Sequence, residues 1–142
     1  MERMVLVGRF LFSAIFIVSS FGHFSSGAVQ YASGHGVPWA QFFVPFSGVL
    51  ALFGGLSVLV GYFAKIGAAL LVAFLIPVTL MMHNFWTVAD ANEAQIQMVM
   101  FMKNVSMLGG AFLIAYFGAG PFSLDNRRVG NLPAEKAVDK AA

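Results

Sequence analysis

Between Arg9 and Lys65 the chain carries no charged side chain at all: residues 10–64 form an unbroken run of 55. A water-soluble domain spreads charge over its surface, and roughly a quarter of its residues are ordinarily Asp, Glu, Lys or Arg. Here the whole chain reaches only 10%, against 59% hydrophobic. A run of that length without charge fits polypeptide that lies in lipid. A cytosolic enzyme and a disordered tail are both excluded on this ground.

Apolar stretches fall at residues 4–21, 44–63, 66–82 and 98–117. Each is about 17–20 residues long, enough to cross a hydrocarbon core near 30 Å as a helix. A lone segment in lipid must satisfy its own backbone hydrogen bonds, so a helix is the required form. None of the stretches alternates apolar with polar residues, which argues against membrane strands. The sequence therefore predicts an all-α, four-transmembrane-helix bundle over residues 1–120, with a polar cytoplasmic tail at 121–142. Arg3 and Arg9 before the first stretch, with Ser25-Ser26-Gly27-Ala28 after it, have the outline of a signal peptide. Further apolar spans follow at once, so an uncleaved first transmembrane helix is the expectation.

Local signals set the connections. Asp90, with Glu93 three residues on, reads as the N-cap of the fourth helix. Pro45 is placed at the start of the second span, where a missing N–H costs nothing. Pro77 lies inside the third and should kink it, freeing the carbonyl of Ala73. About five residues around Lys65 join spans two and three into an antiparallel hairpin. The first connection, 22–43, is long and carries His23, Tyr31, His35, Pro38 and Trp39.

Orientation follows from the basic residues. Arg3, Arg9, Lys65, Arg127, Arg128, Lys136 and Lys140 all fall on one side of this topology, and the opposite loops hold none. The positive-inside rule puts both termini and the Lys65 turn in the cytoplasm. Trp39, Phe42, Phe85 and Trp86 then form an aromatic belt at the outer boundary. The net charge of +2 comes without a basic stripe, so nucleic acid is not a partner. Close packing must replace the hydrophobic drive between helices in lipid. Ser47, Ala51 and Gly55 on the second span, and Ser106 with Gly109-Gly110 on the fourth, supply small-residue faces for neighbours in the bundle or for a homo-oligomer.

Ionisable groups inside spans are costly and are functional candidates by default. Arg9 lies within two turns of the cytoplasmic end and is expected to snorkel to headgroups. Counting helix rise from the cytoplasmic edge places Lys103 at ~22 Å, His83 at ~27 Å and His23 at ~21 Å. The three reach similar depth in the outer half. Thr79, His83 and Trp86 share one face of the third helix, and Lys103, Ser106 and Gly110 one face of the fourth. A ligand-binding cluster of His23, His83, Asn84, Trp86, Lys103 and Asn104 is the expectation. It suits an amphipathic ligand with a polar head, such as a quinone. The alternative is a structural network in which Lys103 bonds Asn84 or a freed carbonyl. His23, His35 and His83 lack metal-ligand spacing, the chain has no cysteine, and no glycine-rich nucleotide loop follows a strand. No metal or nucleotide is expected.

Several strings resemble the DoxX family: Gly8-Arg9, Gly22-His23-Phe24, Gly36-Val37-Pro38, the run Gly48-Val49-Leu50-Ala51-Leu52-Phe53-Gly54-Gly55, and the turn from Gly61 to Ala68. His83-Asn84-Phe85-Trp86 and Lys103-Asn104 are similar too. The resemblance covers about 8–120. It implies a multi-pass protein of the inner or plasma membrane that is an oxidoreductase or a subunit of one; the namesake branch resembles a thiosulfate:quinone oxidoreductase subunit. Two functional readings follow: a quinone-binding subunit of an oxidoreductase complex with a partner subunit, and a non-catalytic scaffold or assembly partner. A transporter is disfavoured, because spans one–two and three–four show no internal similarity.

Overall fold

A computed structural model describes residues 2–130; positions 131–142 of the expected tail lie outside the described residues. The described chain is helical throughout: α1 Glu2–Ser20, α2 Ser26–Gly34, α3 Ala40–Val60, α4 Ala64–Met82, α5 Ala91–Phe117 and α6 Leu124–Gly130, with 3-10 turns at Phe21–Phe24 and Phe85–Thr87. Helices α1, α3, α4 and α5 are long and apolar enough to cross a membrane.

Each of the four long helices begins before the apolar stretch that announces it. α5 begins at Ala91, seven residues before its apolar stretch, because the cap lies there: Asp90 Oδ1 accepts the Glu93 N–H at 2.8 Å. α3 begins at Ala40, so Pro45 is its sixth residue rather than an entry position. The carbonyl of Gln41 thereby lacks its helical donor. The long first connection is only partly a loop. Ser25 caps α2 by accepting the Ala28 N–H, and α2 rests on α3 through Ala32, Ala40 and Val44.

α3 lies between α1 and α4, and α5 packs along α4. The core joins Phe16 of α1, Ala51 and Val58 of α3, Ala68, Leu71, Phe74 and Leu75 of α4, and Ala111 of α5. The small-residue face of α3 is used within the chain. A side chain at Gly55 would meet Ile17 at 3.0 Å, so the backbones of α1 and α3 approach closely. Phe12 reaches from α1 to α5, its ring edge 2.8 Å from where a Gly110 side chain would begin.

The end of the bundle that holds the Lys65 turn, cytoplasmic by the positive-inside rule, is closed by the segment after α5. Arg9 does not snorkel: it is 4% exposed and turned inward, donating from Nη1 to the Ala119 carbonyl and from Nη2 to the Phe122 carbonyl, both at 2.9 Å. A guanidinium that finds two carbonyls within the protein gains more than one stretched towards water through lipid. Asp125 then spans back to the α3–α4 turn. Its two carboxylate oxygens accept the N–H groups of Phe63 at 2.8 Å and Ala64 at 2.9 Å, while its own N–H donates to Gly61 O at 2.8 Å. α4 is thus capped by a residue sixty positions away. Residues 121–130, expected as tail, form this latch and α6.

Candidate functional site

His23 hangs from the 3-10 turn that ends α1, and the backbone of α3 makes room for it. A side chain at Gly48 would lie 2.7 Å from His23 Cβ and 3.1 Å from Ser20 O. The imidazole Nδ1 is 2.9 Å from Ser47 Oγ, and that hydroxyl donates its single proton to Val44 O at 2.7 Å. The geometry fits a histidine protonated on Nδ1 that donates to Ser47 while Ser47 donates to Val44 O. Nε2 is the acceptor nitrogen of that tautomer. The ring stands edge-on to Phe74, with centroids 5.6 Å apart.

His83 terminates α4, and its Nδ1 lies 2.8 Å from Gln97 Oε1 on α5. The amide oxygen accepts, so this ring too has its proton on Nδ1. The two histidines do not meet. His23 packs beside Phe74, nine residues below His83 on α4 and so ~13 Å lower in helix rise. Counting each helix from its own edge had placed them level. Thr79, buried, lies between the two depths and shares a helical face with His83.

Lys103 and Asn104 part company although adjacent in sequence. Lys103 is exposed on α5, and its Nζ donates to Met100 Sδ at 3.4 Å. Asn104 is 4% exposed and faces inward. Among the described residues, the fully sequestered polar side-chain atoms without a partner are Arg9 Nε and Ser13 Oγ. Asn104 is not one of them, and no side-chain hydrogen bond of its amide is found among the described residues. Asn84 is half-buried, and its carbonyl accepts from Thr87. Trp86 packs on Phe85 and Phe101, at 5.2 and 5.8 Å, as part of the outer aromatic rim.

The predicted cluster thus becomes two nodes: His23–Ser47 within the bundle, and His83–Gln97 at its outer mouth. Asn104 and Thr79 are also interior, Trp86 sits on the rim, and Lys103 points away. His35, the third histidine, bonds the Tyr31 carbonyl through Nδ1 at 2.9 Å on the exposed outer turn. Among the described residues, no group of three His, Asp or Glu side chains converges to hold a metal. Ser47 was legible only as a small packing residue. The signal for the inward face of α1 was there: Arg9, Ser13, Phe16, Ser20 and His23 recur at three- and four-residue steps.

Four membrane-crossing helices with polar groups turned inward define a multi-pass integral membrane protein. A family model described as the SURF4 family matches residues 3–129. The chain belongs to the SURF4 family. It is 32% identical over 124 residues to Inner membrane protein YqjF of Escherichia coli (strain K12), covering 85% of this chain and 88% of that one. It is 27% identical over 126 residues to Inner membrane protein YphA of the same organism, covering 87% and 89%. No solved structure matches. The protein is accordingly a multi-pass inner membrane protein.

The family assignment overturns the DoxX resemblance. The strings that carried it report packing constraints common to small membrane bundles. Gly48 clears space for His23, and Gly61, at φ 69°, makes the left-handed turn that ends α3. Such glycines recur wherever helices approach closely, so they do not separate one four-helix family from another. The expectation of an oxidoreductase loses the support that the resemblance gave it.

Proposed function

We propose that this chain is a membrane-embedded binding subunit whose interior takes the polar head of a quinone-class ligand, in its hydroxyl-bearing quinol form. The observation that carries the reading is His23. In the tautomer that donates from Nδ1 to Ser47, Nε2 is an acceptor, the partner a quinol O–H requires. The interior Asn104 amide offers a donor and an acceptor, and the Phe74 ring edge offers an apolar wall. The chain's part is to bind and orient; electron transfer belongs to a partner oxidoreductase subunit.

The test is mass spectrometry of the organic extract from protein purified in mild detergent. About one quinone or quinol per chain is expected, falling at least tenfold in His23→Leu, on the scale of a lost hydrogen bond left unmatched. Bulk lipid alone, or equal quinone in the variant, refutes the reading.

A second reading, a scaffold for another membrane protein, is favoured by α5. Only Asn104 and Ala111 of its 27 residues are buried, and it turns the Lys103 ammonium outward. A partner helix bearing a carboxylate would satisfy that cation. Lys103→Leu should then abolish recovery of a partner cross-linked in native membranes; an unchanged cross-linking pattern rejects it.

A further inference from the structure

A groove lies at the opposite end of the bundle from His83. It opens between α3 and α4 in their cytoplasmic halves and has a volume of about 470 Å³. Phe53, Leu56, Val60, Ile66 and Leu70 line its membrane side, and Tyr62, Phe63 and Leu124 form its cytoplasmic rim. Two lining residues carry hydroxyls: Tyr62 sits on the rim, and Ser57 Oγ is directed into the turn, at 2.6 Å from Tyr62 O and 3.1 Å from Phe63 O. The wall facing lipid is therefore apolar along its length. From Val60 to Phe53 it descends ~10 Å towards the bilayer centre.

A cation stands at the rim. The Arg128 guanidinium lies 5.1 Å from the centroids of both the Tyr62 and the Phe63 rings. A cation–π contact does not consume the N–H donors of the guanidinium, which can still grip an oxyanion. Arg128 makes no hydrogen bond among the described residues. Its position is held by the Asp125 bonds that dock α6 on the same turn. An apolar channel pointing into the membrane, with a pre-positioned arginine at its interfacial end, has the polarity of one lipid in the cytoplasmic leaflet.

We infer that the α3–α4 groove is a binding site for an anionic phospholipid, with an acyl chain between Phe53 and Leu70 and the phosphate on Arg128. Charge complementarity selects the occupant. The cytoplasmic leaflet is the anionic one, and a basic side chain near its surface favours an anionic lipid about fivefold over a neutral one. This site is independent of the quinol reading, since no residue is shared between them.

Native mass spectrometry of the full chain, with phosphatidylglycerol and phosphatidylethanolamine added in equal amounts, tests it. The expected result is about a fivefold preference for phosphatidylglycerol. Arg128→Gln should remove the preference while leaving weak retention of both lipids. Leu56→Trp, which fills the groove without touching the latch, should lower retention of both. Inorganic phosphate lacks an acyl chain and should not displace bound phosphatidylglycerol. Equal retention of the two lipids by the native chain, undiminished preference in Arg128→Gln, undiminished binding in Leu56→Trp, or displacement by inorganic phosphate would each overturn the site. If Arg128→Gln does not fold, the Leu56→Trp and phosphate arms still decide.

Discussion

Replacing Asp125 by alanine isolates the latch that closes the cytoplasmic end. The carboxylate accepts two backbone N–H groups, at 2.8 and 2.9 Å, at the very start of α4. One of them belongs to Phe63, a non-glycine residue held at φ 50°. Hydrogen bonds to a charged group contribute about 1.5–3 kcal/mol each. Asp125 is half-buried and water can reach the Phe63 N–H, which argues for the low end of that range and for partial replacement after the change. A net loss of about 2–3 kcal/mol follows, somewhat above an ordinary N-cap deletion of about 0.5–2 kcal/mol. The loss falls on local opening of α6. By the factor of ten per 1.4 kcal/mol, the open population should rise about 30–140-fold. Limited trypsin digestion in detergent, reading cleavage after Arg127 and Arg128, reports that population directly. Asp125→Asn, which keeps one acceptor oxygen without charge, should fall between alanine and the native chain. A rise of less than about threefold for Asp125→Ala would refute the latch as the element that holds α6.

Gly48→Ala pushes a methyl to within 2.7 Å of His23 Cβ and 3.1 Å of Ser20 O, where backbone on one side leaves little room to relax. A loss of about 1–3 kcal/mol is expected by chemical or thermal unfolding in detergent, together with reduced quinone retention; unchanged stability contradicts the packing of α1 on α3. Gly61→Ala meets a left-handed φ of 69° and three close neighbours: Ser123 Cβ, Arg9 Nη1 at 2.7 Å and Ala119 Cβ at 3.1 Å. It should destabilise by at least about 1–2 kcal/mol, and a neutral result would contradict the closure of this turn by the segment after α5.

The spans were legible because lipid leaves a backbone few choices and the charge-free run shows where lipid begins. The N-cap at Asp90 was legible because it is a local arrangement of four residues. What escaped depends on rotation about a helix axis and on distant partners. Lys103 and Asn104 are neighbours on α5, yet one faces out and one faces in; the stretch is apolar nearly all round and gives little sign of which. Arg9 looked like a snorkelling residue because the carbonyls it finds come 110 and 113 residues later. The depth of His23 was misjudged because rise counted from a span's edge ignores where each helix meets its neighbour. Ser47 pairs with His23 from 24 residues away, and no spacing rule links them.

The Arg9 pairing also sets an order of events during synthesis. The first helix enters the bilayer with its guanidinium, but Ala119 and Phe122 are the last part of the described membrane fold to be made. At roughly 5–20 residues per second, the cation waits on the order of 6–20 s for its carbonyls. During that interval α1 lacks the two carbonyls that accept from its guanidinium in the finished chain, so the first helix reaches its final pairing only once the turn after α5 has been made.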